Sequence, residues 1–148
     1  MTKLSYLEAI QNAQDLALNH FSNAFILGED VGKKGGVFGT TKGLQSKYGD
    51  ERVIDTPLAE SNIIGTAIGA AMLGKRPIAE IQFADFILPA TNQIISEAAK
   101  MRYRSNNDWN CPLTIRAPFG GGVHGGLYHS QSVECILAST PGLTYGIE

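Results

Sequence analysis

Short apolar runs alternate with helix-forming stretches along the chain. Four runs of apolar character, each bounded by turn-forming or charged residues, lie at residues 24–27, 52–55, 77–82 and 113–116. Such runs are typical of strands buried on both faces of a parallel sheet. Helices are predicted beside them at residues 5–19, 41–48, 63–73, 90–104 and 133–138. The alternation predicts an α/β fold, a parallel sheet sandwiched by helices.

Local signals mark the ends of several elements. Ser5 and Glu8 match a capping box at the start of the first helix. The basic residues 100–104 complement the C-terminus of the helix predicted at 90–104. The Pro-Gly-Leu segment at residues 141–143 is interpreted as the start of a further strand.

One stretch, residues 56–65, sets the lone carboxylate of Glu60 between an apolar strand and a helix of small residues. Pro57 ends the strand ladder, because proline has no backbone N–H to donate. Glu60 therefore falls in the first turn of the next helix, at the edge of the interior. An acidic residue there is favoured by the helix dipole alone, so the pattern leaves open whether Glu60 caps the helix or acts in catalysis.

Polar residues follow four of the predicted strands. In open parallel sheets, ligands bind beyond the carboxyl ends of the strands. The strands here lead to Glu29, Glu60, Gln82 and a glycine-rich loop that ends at His129. We expect these four groups to converge on one edge of the sheet.

Two glycine-rich segments border that edge. Residues 32–39 also contain Lys33 and Lys34, but they match neither a P-loop nor a dinucleotide-binding turn, so we predict a flexible surface loop. Residues 120–130 contain His124 and His129 among five glycines. Those glycines suit either close approach of a ligand to the backbone or a mobile loop, and both interpretations stay open.

Composition excludes several classes of function. With 148 residues, a formal net charge of −2 and no basic run, the chain has no footprint for nucleic acid or an anionic membrane. No apolar run is long enough to span a bilayer, and residues 1–9 lack the core of a secretory signal, so a cytoplasmic location is expected. Cys111 and Cys135 fit no zinc or disulfide framework and are predicted to be reduced.

Four segments carry a resemblance to a known family, in the right order and over nearly the whole chain. They are Gly-Glu-Asp-Val at residues 28–31, Asp-Thr-Pro-Leu-Ala-Glu at 55–60, the segment 76–86 around Gln82, and Gly-Gly-Leu-Tyr-His-Ser-Gln-Ser at 125–132. Together they resemble the beta subunit of the thiamine-diphosphate-dependent 2-oxo acid dehydrogenases. Gln-Phe-Ala-Asp at 82–85, Arg-Tyr-Arg-Ser at 102–105 and Leu-Tyr-His-Ser-Gln at 127–131 are more similar to the branched-chain enzyme than to the pyruvate enzyme.

The resemblance implies roles for individual residues. Glu60 matches the carboxylate that hydrogen-bonds the aminopyrimidine of thiamine diphosphate and promotes the tautomer that takes the thiazolium proton. His129 matches an active-site histidine near the substrate and the incoming lipoyl group. The other matched cofactor-binding positions are Glu29, Leu58, Gln82 and Phe86, where Phe86 replaces the tyrosine of some relatives.

The resemblance also implies a partner chain. The Gly-Asp-Gly segment and downstream Asn that bind magnesium are not found here, since Gly49-Asp50 is followed by Glu51. No metal ligand is therefore predicted in this chain, and the diphosphate and Mg are expected on the alpha subunit. Relatives continue into a C-terminal domain, so we expect residues 1–148 to comprise only the pyrimidine-binding domain, inactive by itself.

The expected function is that of a branched-chain (2-oxoisovalerate) dehydrogenase beta subunit. Assembled with its alpha subunit, it would catalyse oxidative decarboxylation of 2-oxo acids and acyl transfer to lipoyl-lysine. Expected partners are the alpha subunit, a second beta subunit and the lipoyl-bearing acyltransferase, without nucleic acid or membrane. Three alternatives stay open: a pyruvate or acetoin dehydrogenase beta subunit, a non-catalytic α/β association module, and, less favoured, a flavodoxin-like nucleotide binder.

Overall fold

A four-stranded parallel sheet with strand order β2-β1-β3-β4 forms the centre of the chain. It is seen in a computed structural model that describes residues 3–146. The four apolar runs form these strands, which confirms the predicted α/β fold. The strands are β1 (Ala24–Gly28), β2 (Val53–Asp55), β3 (Arg76–Glu80) and β4 (Thr114–Arg116).

Helices lie on both faces of the sheet and include those predicted at residues 5–19, 41–48, 63–73 and 133–138. The capping box is confirmed, because the Ser5 hydroxyl accepts a hydrogen bond from the Glu8 N–H (3.3 Å) and Glu8 Oε2 accepts one from the Ser5 N–H (2.7 Å). Within the described chain, no helix is long and apolar enough to cross a membrane. The helices are α1 (Tyr6–His20), α2 (Leu44–Tyr48), α3 (Glu60–Met72), α4 (Met101–Arg104) and α5 (Glu134–Ala138).

The core is divided by the sheet into two clusters. Successive side chains of a strand point to opposite faces, so Leu27 joins the α3 side while Ile26 joins the other. On the α3 side, Ile64 and Ala67 are fully buried. The opposite cluster consists of Leu18, Ala24, Ile26, Val31, Leu44 and Val53.

The face next to α1 is less completely filled. An apolar cavity of about 930 Å³ lies between α1 and β4, and Ile10, Ala13 and Ile115 are among its lining residues. In α1 only Gln14 and Leu18 are buried. The helix therefore covers the sheet without closing this side of the core.

The segment predicted as one helix at residues 90–104 is interrupted. A 3₁₀ helix (Ala84–Ala90) containing Pro89 precedes a π-helix (Gln93–Ala98), and only α4 is regular. Pro89 has no N–H for an α-helical bond. Further along, the Ala99 N–H donates to the Ile94 carbonyl, five residues back (2.9 Å). An α-helical bond would reach four residues back, so this turn contains one extra residue. The prediction of a continuous helix was wrong.

Residues 141–143 are also not a strand. The segment turns at Gly142, whose φ is +95°, and the Leu143 N–H points back to the Thr140 carbonyl (3.5 Å). A Cβ at Gly142 would lie 2.1 Å from the Ala99 carbonyl oxygen. Close packing against the end of the π-helix therefore replaces strand pairing.

Candidate functional site

The carboxyl ends of all four strands are aligned at one edge of the sheet. Gly28 of β1 is in register with Asp55 of β2 and Glu80 of β3, and Glu80 is in register with Arg116 of β4. The residues that follow each strand therefore leave the sheet along a single edge. This register confirms the geometric basis on which the site was predicted.

Acidic side chains gather where β1 ends and α3 begins. Glu60 is half-buried and is the first residue of α3, as predicted. Glu29, the residue after β1, is half-buried as well. Burial raises the pKa of Glu29, and the carboxylates of Asp30 and Glu60 raise it further. The structure thus brings Glu29 and Glu60 into one electrostatic environment.

Asp30 connects the ends of β1 and β3. Its Oδ2 accepts hydrogen bonds from the Gln82 amide (3.0 Å) and from Lys34 Nζ (2.7 Å). Asp30 has a φ of +61°, a strained conformation for a residue other than glycine. Gln82 is therefore oriented by the residue next to Glu29.

His129 lies in an aromatic cluster. Its ring centroid is 4.5 Å from that of Phe83 and 5.3 Å from that of Phe86, both in edge-to-face geometry. Phe83 also contacts Phe38 of the first glycine-rich segment (5.9 Å between centroids). Behind the imidazole, a Cβ at Gly125 would lie 2.3 Å from the Cβ of His129, so this glycine allows the close approach.

Two residues just before Glu60 in the sequence differ in exposure: Leu58 is unusually exposed for an apolar residue, and the Thr56 hydroxyl is buried. Leu58 leaves 71% of its surface exposed. The Thr56 hydroxyl is buried and has no hydrogen-bond partner among the described residues. His124, in contrast, is exposed and takes no part in the aromatic cluster around His129.

Residues 32–39, which we call the first glycine loop, differ from the predicted flexible surface loop. Gly32, Gly35 and Gly36 are buried. Asp55 accepts hydrogen bonds from the N–H groups of Gly32 (2.6 Å) and Lys33 (3.3 Å). The acceptor, Asp55, belongs to β2 and lies outside the segment. The glycine content of the segment alone therefore led to the wrong prediction of a flexible loop.

A buried polar network holds the end of the first glycine loop. Glu80 is 2% exposed and forms an ion pair with Arg116. The Thr40 hydroxyl donates to Glu80 Oε2 (3.3 Å) and accepts from Arg116 Nη1 (3.1 Å). β3, β4 and the loop are thereby connected beneath the site.

Sequence reasoning missed three residues at the site: Asp30, Phe83 and Asp85, whose Oδ2 accepts a hydrogen bond from the Gln131 N–H in the loop of His129 (3.3 Å). Phe83 and Asp85 adjoin Gln82 and Phe86 in the sequence, which was the available signal. Among residues 3–146, no group of three or more His, Cys, Asp or Glu side chains is arranged to hold a metal ion. Cys111 and Cys135 are both free.

Comparisons with known proteins agree with this architecture. The family described as "Transketolase, pyrimidine binding domain" matches residues 2–146. A solved split-gene transketolase, in an inactive beta4 tetramer, superposes with a TM-score of 0.64 and 25% identity, over 90% of this chain and 39% of that one. The comparison of folds and the comparison of sequences therefore point to the same domain.

Curated relatives are beta subunits of 2-oxo acid dehydrogenases. The 2-oxoisovalerate dehydrogenase subunit beta of Bacillus subtilis is 66% identical over 97% of this chain and 44% of the relative. The mitochondrial subunit of that name from Dictyostelium discoideum is 55% identical over 95% of the chain and 38% of the relative. The pyruvate dehydrogenase E1 component subunit beta of Bacillus subtilis is 46% identical over 97% and 44%.

The chain spans less than half the length of these relatives, since it covers 38–44% of each. The family match, in contrast, extends over nearly all of it. On that match, and on the parallel sheet with its aligned carboxyl ends, the chain belongs to the transketolase pyrimidine-binding-domain family.

Proposed function

We propose that this chain is the pyrimidine-binding part of a 2-oxoisovalerate dehydrogenase beta subunit. Together with an alpha subunit, the complete protein would decarboxylate branched-chain 2-oxo acids oxidatively and transfer the acyl group to lipoyl-lysine. The observation that carries the proposal is sequence identity. The chain is 66% identical to the 2-oxoisovalerate dehydrogenase beta subunit of Bacillus subtilis and 46% identical to the pyruvate dehydrogenase beta subunit of the same organism. The cytoplasmic location remains a prediction, because some relatives are mitochondrial.

The edge of the sheet fits the aminopyrimidine ring of thiamine diphosphate. The ring is flat and carries both donors and acceptors, and the site offers carboxylates, an amide and aromatic faces. Glu29, Glu60, Gln82 and Phe86 are all half-buried, so a ring bound there would contact partly desolvated polar and aromatic groups. The residues proposed to hold the ring are Glu29, Leu58, Glu60, Gln82 and Phe86.

When bound, thiamine diphosphate supplies the electron sink that decarboxylation of a 2-oxo acid requires. Glu60 would accept a hydrogen bond from a ring nitrogen of the aminopyrimidine and so favour its imino tautomer. Glu29 holds its proton more tightly than an ordinary glutamate, because burial and two neighbouring carboxylates raise its pKa.

We assign His129 to proton transfer at the acyl-transfer step. An imidazole can both accept and donate a proton, and here its ring is oriented by Phe83 and Phe86. When one sulfur of the lipoyl disulfide takes up the acyl group, the S–S bond breaks, and from this position His129 would donate a proton to the other sulfur, which leaves as a thiolate.

The exposed surface beside the site is the support for an alpha-subunit partner. Leu58, Leu127 and Tyr128 are 71%, 80% and 73% exposed. Large apolar side chains grouped on a surface are typical of a protein interface. We propose that the alpha subunit covers them and brings the diphosphate-binding groups and magnesium, and that the lipoyl-bearing acyltransferase reaches the site from the complex.

Self-association of beta subunits is supported by the outer side of α3. A Cβ added at Gly65 or Gly69 meets no atom within 4 Å, and Leu73 is 86% exposed. A second beta subunit could therefore approach the α3 backbone closely.

The test uses a full-length beta subunit that carries this sequence, assembled with its alpha subunit. We expect turnover of 2-oxoisovalerate with a higher kcat/KM than turnover of pyruvate. His129→Ala should lower reductive acylation of the lipoyl domain by about 10²-fold or more while cofactor affinity changes less. His124→Ala, an exposed histidine in the same loop, is the matched control.

Each result separates the alternatives. Preference for pyruvate or acetoin would assign the chain to those enzymes instead. Normal acylation by the His129→Ala enzyme would contradict the role of His129. Absence of any thiamine-diphosphate-dependent turnover in the assembled protein would favour a non-catalytic association module.

A further inference from the structure

Asp85 is a buried carboxylate that the proposed reaction does not use. It is 8% exposed, at the start of the 3₁₀ helix (Ala84–Ala90). Its Oδ1 is buried and has no partner among the described residues. A carboxylate in such a place loses hydration without full compensation, so it is expected to serve a purpose other than packing.

Among residues 3–146, the Asp85 carboxylate makes one hydrogen bond, and it leads to the loop of His129. Its Oδ2 accepts from the backbone N–H of Gln131 (3.3 Å), two residues beyond the histidine. The carbonyl of Gln131 in turn accepts from the Gly120 N–H (3.1 Å), which closes the base of the loop. Asp85 therefore holds the loop where its two ends meet.

The neighbours of Asp85 act on the same histidine. Phe83 and Phe86 place their rings 4.5 and 5.3 Å from the imidazole of His129. The segment around Asp85 thus contacts the loop at two points: Phe83 and Phe86 contact the imidazole, and Asp85 accepts a hydrogen bond from the Gln131 N–H. Release of the Asp85 contact would leave the ring contacts and the loop's own hydrogen bonds, such as that from the Gly125 N–H to the Ser130 hydroxyl (2.8 Å), to orient His129.

We infer that Asp85 is a positioning residue for His129. Its carboxylate fixes the backbone beyond the histidine, so that the imidazole stays between the two phenylalanine rings. The inference rests on the proposed role of His129 for its catalytic consequence. Its structural consequence is independent of that role, because the position of the imidazole is observable without any reaction.

The test follows the histidine ring signals by NMR in the 148-residue chain. In the unmodified chain, ring currents from Phe83 and Phe86 should shift the His129 signal away from that of the exposed His124. Asp85→Ala should remove most of this shift, and Asp85→Asn, which keeps an acceptor oxygen, should retain it. A Phe83→Leu variant identifies the ring-current contribution.

A second pair of variants acts from the exposed side and leaves the buried site intact. Gln131→Pro removes the donated N–H, whereas Gln131→Ala keeps it and removes the side-chain amide, which donates to the Leu127 carbonyl (2.9 Å). We expect loss of the His129 shift in the proline variant and retention in the alanine variant. An unchanged His129 signal in a folded Asp85→Ala or Gln131→Pro chain would overturn the inference.

In the assembled enzyme, Asp85→Ala should lower reductive acylation about tenfold or more with little change in cofactor affinity, because the imidazole is displaced. If His129→Ala acylates normally while Asp85→Ala still loses the His129 shift, the proposed function of His129 fails and the positioning role stands. If His129→Ala loses acylation while Asp85→Ala keeps both the shift and full activity, only the positioning role fails.

Discussion

Two glycine-rich loops border the same edge of the sheet, but they are anchored differently. The first glycine loop, residues 32–39, is tied by Asp55 of β2 and, through Thr40 at its end, by the buried Glu80 of β3 and the half-buried Arg116 of β4. The second, residues 120–130, is largely exposed and is held at its base by Asp85 and Gly120. Both loops are rich in glycine, so glycine content does not distinguish them. The hydrogen bonds that neighbouring segments make to each loop determine how firmly it is held.

The difference suits their proposed tasks. The first glycine loop carries Phe38 and forms a fixed wall against Phe83. The second carries His129, which we propose acts on an incoming lipoyl group, beside the exposed Leu127 and Tyr128. Phe38 of the firmly held first loop and His129 of the more exposed second loop therefore both contact Phe83 in the aromatic cluster.

The largest expected effect comes from breaking the buried network of the first glycine loop. Glu80→Ala should lower the free energy of unfolding by about 3–5 kcal/mol, because Arg116 loses its buried partner. Glu97→Ala is the matched control, since it removes a partly exposed pair with Arg104 worth at most about 1 kcal/mol. Urea unfolding measures both. Equal losses in the two variants would refute the contrast in anchoring.

A pair of glycine substitutions compares the loops directly. Gly36 has a φ of +80°, and an added Cβ would lie 3.1 Å from Glu80 Oε1, so Gly36→Ala should cost about 1–3 kcal/mol. Gly121 has no atom within 4 Å of an added Cβ, and Gly121→Ala should change stability by about 0.5 kcal/mol or less. Thermal unfolding distinguishes them. A larger loss for Gly121→Ala would reverse the comparison.

The smallest expected effect is a pH dependence at the base of the first glycine loop. The folded pKa of Glu29 lies above its ordinary value of 4.5, so the folded chain binds this proton more tightly than the unfolded chain. Glu29 therefore contributes stability below that value, and the contribution is lost as pH rises through the raised pKa.

Glu29→Gln should accordingly gain stability relative to the unmodified chain as pH rises above about 4.5, by at most about 1 kcal/mol because the site is partly solvated. Unfolding curves at several pH values measure the difference. Glu51→Gln, at an exposed position, should show no such trend. A difference that shrinks as pH rises would contradict the assigned direction.

Much of the fold follows from local sequence patterns. Apolar runs predicted the four strands, and the capping box at Ser5 and the position of Glu60 in the first turn of α3 were correct, although the helix begins before the predicted residue 63. The interrupted helix at 90–104 was not predicted, because the inserted π-turn depends on packing that no short motif encodes. The turn at Gly142 likewise depends on contact with residue 99.

The candidate site was predictable in part. Glu29, Glu60, Gln82 and His129 follow strands whose ends the register aligns. The residues that orient them were missed, since Asp30, Phe83 and Asp85 act through contacts with distant segments. The roles of the matched cofactor-binding residues stay predictions until they are tested in an assembled enzyme.

The most direct test of the central claim, that Glu60 activates the cofactor, is the exchange of the thiamine diphosphate C2 hydrogen for deuterium in the assembled enzyme. We predict that Glu60→Gln slows this exchange by about 10²-fold or more while the cofactor still binds, because the carboxylate that favours the imino tautomer is gone. Glu51→Gln should exchange normally. Normal exchange in the Glu60→Gln enzyme would contradict the account.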